Sequence, residues 1–199
     1  MPRLRPFHPG DEPALAEICL RTADDGADAT GLLSDDGLWA ALFVLPYVSR
    51  HPDLAWVVET DDARVSGYLV GTPDTATFEE WFGREWWPRV APERPAPGAP
   101  EGRHADLIRY AAARGTTSPR YAAEYPAHLH IDLLPELQGQ GWGRRLVERF
   151  LAALRDRGVP GVHLVASAGN TGASAFYPRV GFTPLPSEPG ERAFGMRLH

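Results

Sequence analysis

Residues His128–Leu134 alternate polar and apolar side chains. A strand with that pattern puts His130, Asp132 and Leu134 on one face and Leu129, Ile131 and Leu133 on the other. Shorter runs rich in Val, Leu and aromatic residues predict further strands at Arg3–Phe7, Ala55–Glu59, Val65–Gly71, Val162–Ala166 and Ala193–Leu198, with one more beginning at Phe182. The acidic turn in TDDARVS joins the second and third of these into a hairpin. Between the strands the apolar spacing is helical. Asp11 caps a helix with Pro13 in its first turn and Leu15, Ile18 and Cys19 on its apolar face. Gly37–Val48 predicts a second helix, or a pair of short turns, stopped by Pro46. Gly141–Arg157 is a long amphipathic helix with a basic face, and Asn170 opens another as its N-cap. The class is α/β (α+β), with helices and strands intermixed in one sheet.

Residues 73–125 interrupt this order and are expected to form an insertion between the third and fourth strands. The stretch FEEWFGREWWPRV concentrates Trp81, Phe82, Trp86 and Trp87 there. Such rings either hold the insertion down as a small core or wall an acceptor cleft, and packing is the expectation for most of them. Pro88–Pro100 predicts a surface loop rather than a domain linker, because the strands on both sides belong to one sheet. No internal repeat is visible, so residues 1–199 are expected to form a single domain.

Charge and composition narrow the function. The chain has 20 basic and 26 acidic residues, a net charge of -6, which argues against nonspecific nucleic-acid binding. Cys19 is the one cysteine; it excludes an internal disulfide and reads as core packing. No Cys/His spacing suits a metal. The start lacks an apolar leader core and no apolar run is long enough for a membrane span, so a cytoplasmic protein with no membrane partner is expected. Abundant Ala, Arg, Gly and Pro with few Lys suggest a bacterial source. Monomer and homodimer both remain open.

The chemistry lies in the loop Gln138-Gly139-Gln140-Gly141-Trp142-Gly143. Its glycines let backbone approach a ligand closely, and the helix behind it aims unpaired N–H groups and a positive dipole end at the same point. A pyrophosphate suits that position. A P-loop would need Lys followed by Ser or Thr, and a dinucleotide fingerprint a different glycine spacing. The spacing present is Gln/Arg-x-x-Gly-x-Gly/Ala. Downstream, Asn170-Thr171-Gly172-Ala173-Ser174-Ala175-Phe176-Tyr177-Pro178-Arg179-Val180-Gly181-Phe182 fits Asn-x-x-Ala-x-x-Phe-Tyr-x-x-x-Gly-Phe. Ala173, Phe176 and Tyr177 share one helix face.

Together, in this order and at this separation, the two patterns resemble the acetyl-CoA loop and second signature of the GCN5-related N-acetyltransferase (GNAT) superfamily. The aromatic insertion, with WVVETDDARVSGYLVG before it, resembles the histone-acetyltransferase-like C-terminal domain of O-GlcNAcase and its bacterial relatives. The eukaryotic domain is regarded as a pseudo-acetyltransferase with a degraded cofactor loop; here the loop is intact. The resemblance implies a mixed, mostly antiparallel sheet of about seven strands with helices on both faces. It also implies a split between strands four and five that receives the pantetheine arm like an added strand.

In that picture the main-chain groups of Ile131, Asp132, Leu133 and Leu134 would pair with the arm, and the Leu133 N–H would polarise the thioester carbonyl. Gln138, Gly139, Gln140, Gly141, Trp142, Gly143 and Arg144 would hold the pyrophosphate, with Arg144 or Arg145 adding charge or lying on a solvated face. Asn170, Ala173, Phe176 and Tyr177 would complete the cofactor site. Tyr177 would protonate the departing thiolate or, alternatively, pack as a core aromatic. Asp132 is the first candidate for the base, followed by His130, Glu124 and His128, and a base can act through water. The expected activity is acetyl transfer from acetyl-CoA to a primary amine of a small molecule or peptide, without a metal. The alternative is an acetyl-CoA-binding pseudo-enzyme acting as a sensor or interaction module. Asp24, Asp25, Asp28, Asp35 and Asp36 either favour a cationic amine or form a solvated loop.

Overall fold

The computed structural model describes residues 1–94, 101–116 and 119–198. In chain order the elements are β1 (Arg3–Pro6), α1 (Glu12–Leu20), α2 (Gly37–Phe43), α3 (Leu45–Arg50), β2 (Trp56–Glu59) and β3 (Val65–Thr72). The insertion follows as α4 (Thr75–Trp81), a π-helical turn (Phe82–Trp86), α5 (Trp87–Val90) and α6 (Arg103–Ala113). Then come β4 (Ala127–Leu133), α7 (Trp142–Asp156), β5 (Gly161–Ser167), α8 (Thr171–Arg179), β6 (Thr183–Leu185) and β7 (Glu191–Arg197).

The seven strands form one sheet in the order β1-β2-β3-β4-β5-β7-β6. Every pairing is antiparallel except β4 with β5. That parallel pair holds only at Ala127↔Val162 and His128↔His163. Beyond it β4 stays with β3 as far as Gly67↔Leu133, and β5 stays with β7 as far as Ser167↔Glu191. The two strands therefore diverge with their facing edges unpaired, as the resemblance implied.

Each sheet face carries its own core. The face with Val57, Tyr68, Val70 and Leu134 packs against α1–α3 and the insertion. The other, with Trp56, Leu69, Leu129 and Leu164, packs against α7 and α8. The alternation read from His128–Leu134 is the one observed: Leu129, Ile131 and Leu133 join the α7 side, whereas Leu134 joins the α1 side.

Three local expectations change. Asp11 sits at the N-cap of α1 without capping it; its carboxylate instead accepts from the Arg5 guanidinium at 2.7 and 2.8 Å and from the His8 N–H at 2.8 Å. A bidentate charged donor outcompetes a neutral cap. Pro46 does not stop a helix; it lies in the first turn of α3, where its missing N–H costs nothing, and the break between α2 and α3 falls at Val44. Pro88 and Pro92 likewise open short helical turns, and Pro95, Pro97 and Pro100 lie outside the described residues.

The insertion is held by burial of its rings. Phe78 and Phe82 are fully buried, Trp86 and Trp87 nearly so, and the Trp86 indole N–H donates to the Ala41 carbonyl at 2.9 Å. Gly83 permits closest approach: a Cβ there would sit 2.6 Å from the Arg114 carbonyl oxygen. Arg114 joins the insertion to the domain. It is buried, makes two 2.7 Å bonds to the Glu79 carboxylate, donates to the Leu42 carbonyl at 2.9 Å, and lies 3.6 Å over the Phe82 ring. Removing one partner of such a pair leaves the other charge uncompensated. Arg114→Met is expected to lower stability by about 3–5 kcal/mol, read from the urea midpoint; a loss inside the scatter of surface substitutions would contradict this anchoring role.

Candidate functional site

The N-terminus of α7 begins at Gly141, whose φ of +83° is the left-handed conformation that glycine adopts without penalty. Gly139, at φ +71°, prepares the same bend, and at both positions a Cβ would meet nothing within 4 Å. The space is open toward solvent, and the first N–H groups of α7 face it without a capping side chain. Gln138 closes the loop by donating from its side-chain amide to the Leu133 carbonyl at 2.9 Å.

α8 reaches this loop from the other side. Asn170 is its N-cap, accepting from the Ala173 N–H at 2.8 Å, and Gly181 takes φ +97° past the helix end. Gly143 packs against α8, since a Cβ there would lie 3.1 Å from the Phe176 ring. The two sequence patterns thus touch through Gly143 and Phe176. They line a cleft of about 540 Å³ together with Ile131, Asp132, Leu133, Gln138 and Tyr177. Gly139, Gly141, Trp142, Arg144, Asn170 and Ala173 line it as well.

Two expected residues lie elsewhere. Leu134 has its N–H bonded to the Ser66 carbonyl at 2.9 Å and its side chain in the α1-side core. Gln140 is exposed and bonds back to the Glu136 carbonyl at 2.6 Å. The antiparallel ladder explains Leu134. Alternate residues of β4 turn their main-chain groups to β3, and the Leu134–Ser66 bond sets the phase. Asp132 and His130 therefore also face β3, leaving the N–H groups of Ile131 and Leu133 directed into the split. On β5 the Leu198-to-Pro160 and Ala168-to-Gly190 bonds set the phase in the same way, so Val165 and Ser167 face the split from the opposite side.

The candidate bases separate clearly. Glu124 is exposed and ion-paired to Arg197 at 2.7 Å, lining neither this cleft nor the second cavity described below. Asp132 opens on the cleft and accepts a short hydrogen bond from the Tyr68 hydroxyl; burial pushes its carboxyl above the ordinary carboxylate range, against that hydrogen bond. Tyr177 is buried against Phe176, Phe182 and Phe194, and burial, with the nearby Asp132 charge, raises its phenol. Its hydroxyl forms no hydrogen bond among the described residues. Arg144 lines the cleft, donating to the Arg179 carbonyl at 2.8 Å, while Arg145 stacks 4.6 Å from the Trp142 ring.

His128 and His130 face a second cavity, of about 670 Å³, on the α1–α6 side of the split. Burial pushes His128 well below the usual histidine range and His130 down to about 3, with the Arg114 cation adding to both. Residues that sequence reasoning missed include Thr22 and Gly26 in the cleft, and Tyr47 and Tyr68 beneath the bases. Of the five aspartates marked in the acidic loop, Asp25 lines the cleft. Of its neighbours, Asp24 pairs with Arg103 at 2.7 Å and Asp35 with Arg94 at 2.9 Å, which satisfies their charge within the protein. Cys19 is buried, and burial raises its thiol, so it packs. No helix among the described residues is long and apolar enough to cross a membrane.

Comparison with known proteins gives the same picture. The family model for the acetyltransferase (GNAT) family matches residues 24–182. The crystal structure of SsHAT is 39% identical, covers 100% of this chain and 98% of that one, and superposes with a TM-score of 0.92. A putative acetyltransferase from Salmonella typhimurium, solved with its cofactor acetyl-CoA, shares the fold at 15% identity and TM-score 0.58, covering 100% and 94% of the two chains. Protein O-GlcNAcase of Rattus norvegicus is 22% identical over 181 residues, which is 89% of this chain. The chain spans only 20% of the length of that relative.

The neutral buried histidines have a measurable consequence. The unfolded chain binds protons at His130 below about pH 6.5, whereas the folded one does so only near 3. A folded pKa depressed in this way costs stability progressively as pH falls through that window. His130→Phe removes the cost. Between pH 7 and 5 the stability of the variant relative to wild type is expected to improve by up to about 2 kcal/mol in urea titrations, and a pH-independent difference would contradict the neutral assignment.

Proposed function

The chain belongs to the acetyltransferase (GNAT) family, and we propose that it acts as one domain that moves the acetyl group of acetyl-CoA to a primary amine of a small molecule or peptide by direct attack. The observation that carries this reading is the single cleft in which the Gln138–Arg144 loop, the Asn170–Tyr177 helix and the open edge of β4 meet. Bound acetyl-CoA would supply the activated acyl carbon. The loop amides from Gln138 to Arg144 and the start of α7 would hold its pyrophosphate. The N–H groups of Ile131 and Leu133 face the split, so they would pair with the pantetheine arm, and that of Leu133 would polarise the thioester carbonyl. Asn170, Ala173 and Phe176 would wall the opposite side.

Two side chains of the cleft would then handle protons. Asp132 would accept the proton that the attacking nitrogen sheds as its bond to carbon forms; its raised pKa suits a base that must act near neutrality. Tyr177, whose hydroxyl has no hydrogen-bond partner among the described residues, would donate to the leaving thiolate. The acceptor requires no metal in this reading, and the protein would act as a cytoplasmic enzyme.

Gly141→Asp places a side chain and a negative charge where the phosphates would lie. Calorimetry is expected to show 1:1 acetyl-CoA binding in the wild type and none in the folded variant; binding retained by that variant would remove the loop from the site. Tyr177→Phe and Asp132→Asn are each expected to slow transfer on the order of 10²-fold while acetyl-CoA affinity holds. Tyr177→Phe at full rate but with a lowered melting temperature would make the hydroxyl a structural group and favour the non-catalytic binding module.

A further inference from the structure

A chain of hydrogen bonds under the second cavity fixes the tautomers of two histidines. The chain begins at a group that can only accept, the Pro126 carbonyl. The Thr75 hydroxyl donates its one proton there at 2.6 Å. Thr75 must then accept from His128 Nδ1, 2.8 Å away, so that nitrogen carries the proton. The neutral His128 ring consequently offers Nε2 as an acceptor, and the Tyr47 hydroxyl donates to it at 2.6 Å. Tyr47, its proton spent, accepts from His130 Nε2 at 3.0 Å. His130 is thereby the Nε2–H tautomer, and its lone pair lies on Nδ1. That atom has no protein partner among the described residues and is not sealed off. His130 itself lines the second cavity, at the point where β4 leaves β5.

The cavity shares no lining residue with the cofactor cleft: one holds His130 and Val165, the other Asp132 and Tyr177, and β4 borders both. Phe43, Tyr110 and the exposed Val165 form apolar walls, and Glu191 stands at the β7 side. Resting on the acetyl-transfer reading above, we propose that the acceptor amine enters through this second cavity in its neutral form and that His130 Nδ1 accepts a hydrogen bond from its N–H, aiming the nitrogen lone pair at the thioester across the split. His130 is a catalytic residue in this arrangement because it touches the acceptor. Tyr47, His128 and Thr75 are positioning residues that act through it. The bond formed is nitrogen to acetyl carbon and the bond broken is carbon to sulfur. The proton released by nitrogen passes to Asp132, and the thiolate takes its own from Tyr177.

The groups facing His130 support an uncharged role. Arg114 is the nearby cation and is tied to Glu79; Tyr47 is neutral, its phenol raised by burial; His128 is neutral; Glu191 lines the same cavity. Burial and the Arg114 charge both hold His130 neutral near pH 7.

Nitrogen-15 NMR of the histidine rings in the ligand-free protein tests the tautomer without any acceptor. The expected result is a His130 that is neutral, protonated at Nε2 and invariant from pH 5 to 8, and that becomes a mixture of tautomers in Tyr47→Phe. A His130 protonated at Nδ1, or one titrating within that range, overturns the proposal. Entry is tested with 2-phenylethylamine, spermidine and a lysine-containing peptide as acceptors. Val165→Trp, which crowds the cavity, is expected to raise the amine KM at least 10-fold with acetyl-CoA affinity unchanged. His130→Phe is expected to lower kcat/KM on the order of 10²-fold, again with acetyl-CoA affinity unchanged. Unaltered amine kinetics in both variants would refute entry by this route. Loss of acetyl-CoA binding by the wild type would instead refute the transfer reading, leaving the tautomer measurement to decide the role of His130.

Discussion

The arrangement depends on β4 and β5 pairing for only two residues and then parting. Parallel strands normally continue their ladder, because an unpaired buried N–H or C=O costs as much as a lost hydrogen bond. Here each strand keeps its outer partner for its full length, β4 with β3 and β5 with β7, so the sheet survives the divergence. The inner edges are left with the N–H groups of Ile131, Leu133, Val165 and Ser167 to satisfy, the carbonyls of Leu133 and Ser167 already accepting from Gln138 and from the Asn170 N–H. An extended ligand bearing amides answers that need as another strand would. His130 and Asp132 share one face of β4, and the two cavities meet that strand at successive positions along it.

Much of this was legible in the chain. The alternation in His128–Leu134 assigned the two faces of β4, because a strand has a period of two and a one-residue slip would reverse every side chain. The left-handed glycines and the Asn170 cap announced the helix starts, since both are local rules that need no tertiary information. The aromatic density of the insertion foretold its burial, as Phe82 and Trp86 show.

What was not legible depends on contacts far apart in sequence. Tyr47 meets His128 and His130 across 81 and 83 residues, and Tyr68 meets Asp132 across 64. No periodicity records such pairings. The same holds for Glu124, which pairs with Arg197 across 73 residues; Asp11, read as a cap, is instead claimed by Arg5 only six residues away, a competition between local donors that a cap pattern does not rank. Leu134 illustrates a subtler limit. Its side-chain face followed from the pattern, but whether its N–H points to β3 or into the split depends on ladder phase, which only the paired neighbour sets. Pro46 shows the ambiguity of a single residue type, since a proline can stop a helix or open one, and here it opens α3.

Hydrogen exchange with and without acetyl-CoA tests the central claim most directly. The account predicts slowed exchange at the amides of Ile131 and Leu133, which face the split, with little change at His130 and Asp132, whose N–H groups already bond β3. Val165 and Ser167 report on whether the ligand also bridges to β5. Saturating acetyl-CoA that left Ile131 and Leu133 exchanging as before, or that protected only residues on the outer faces of the sheet, would contradict the opening between β4 and β5 as the place where the cofactor binds.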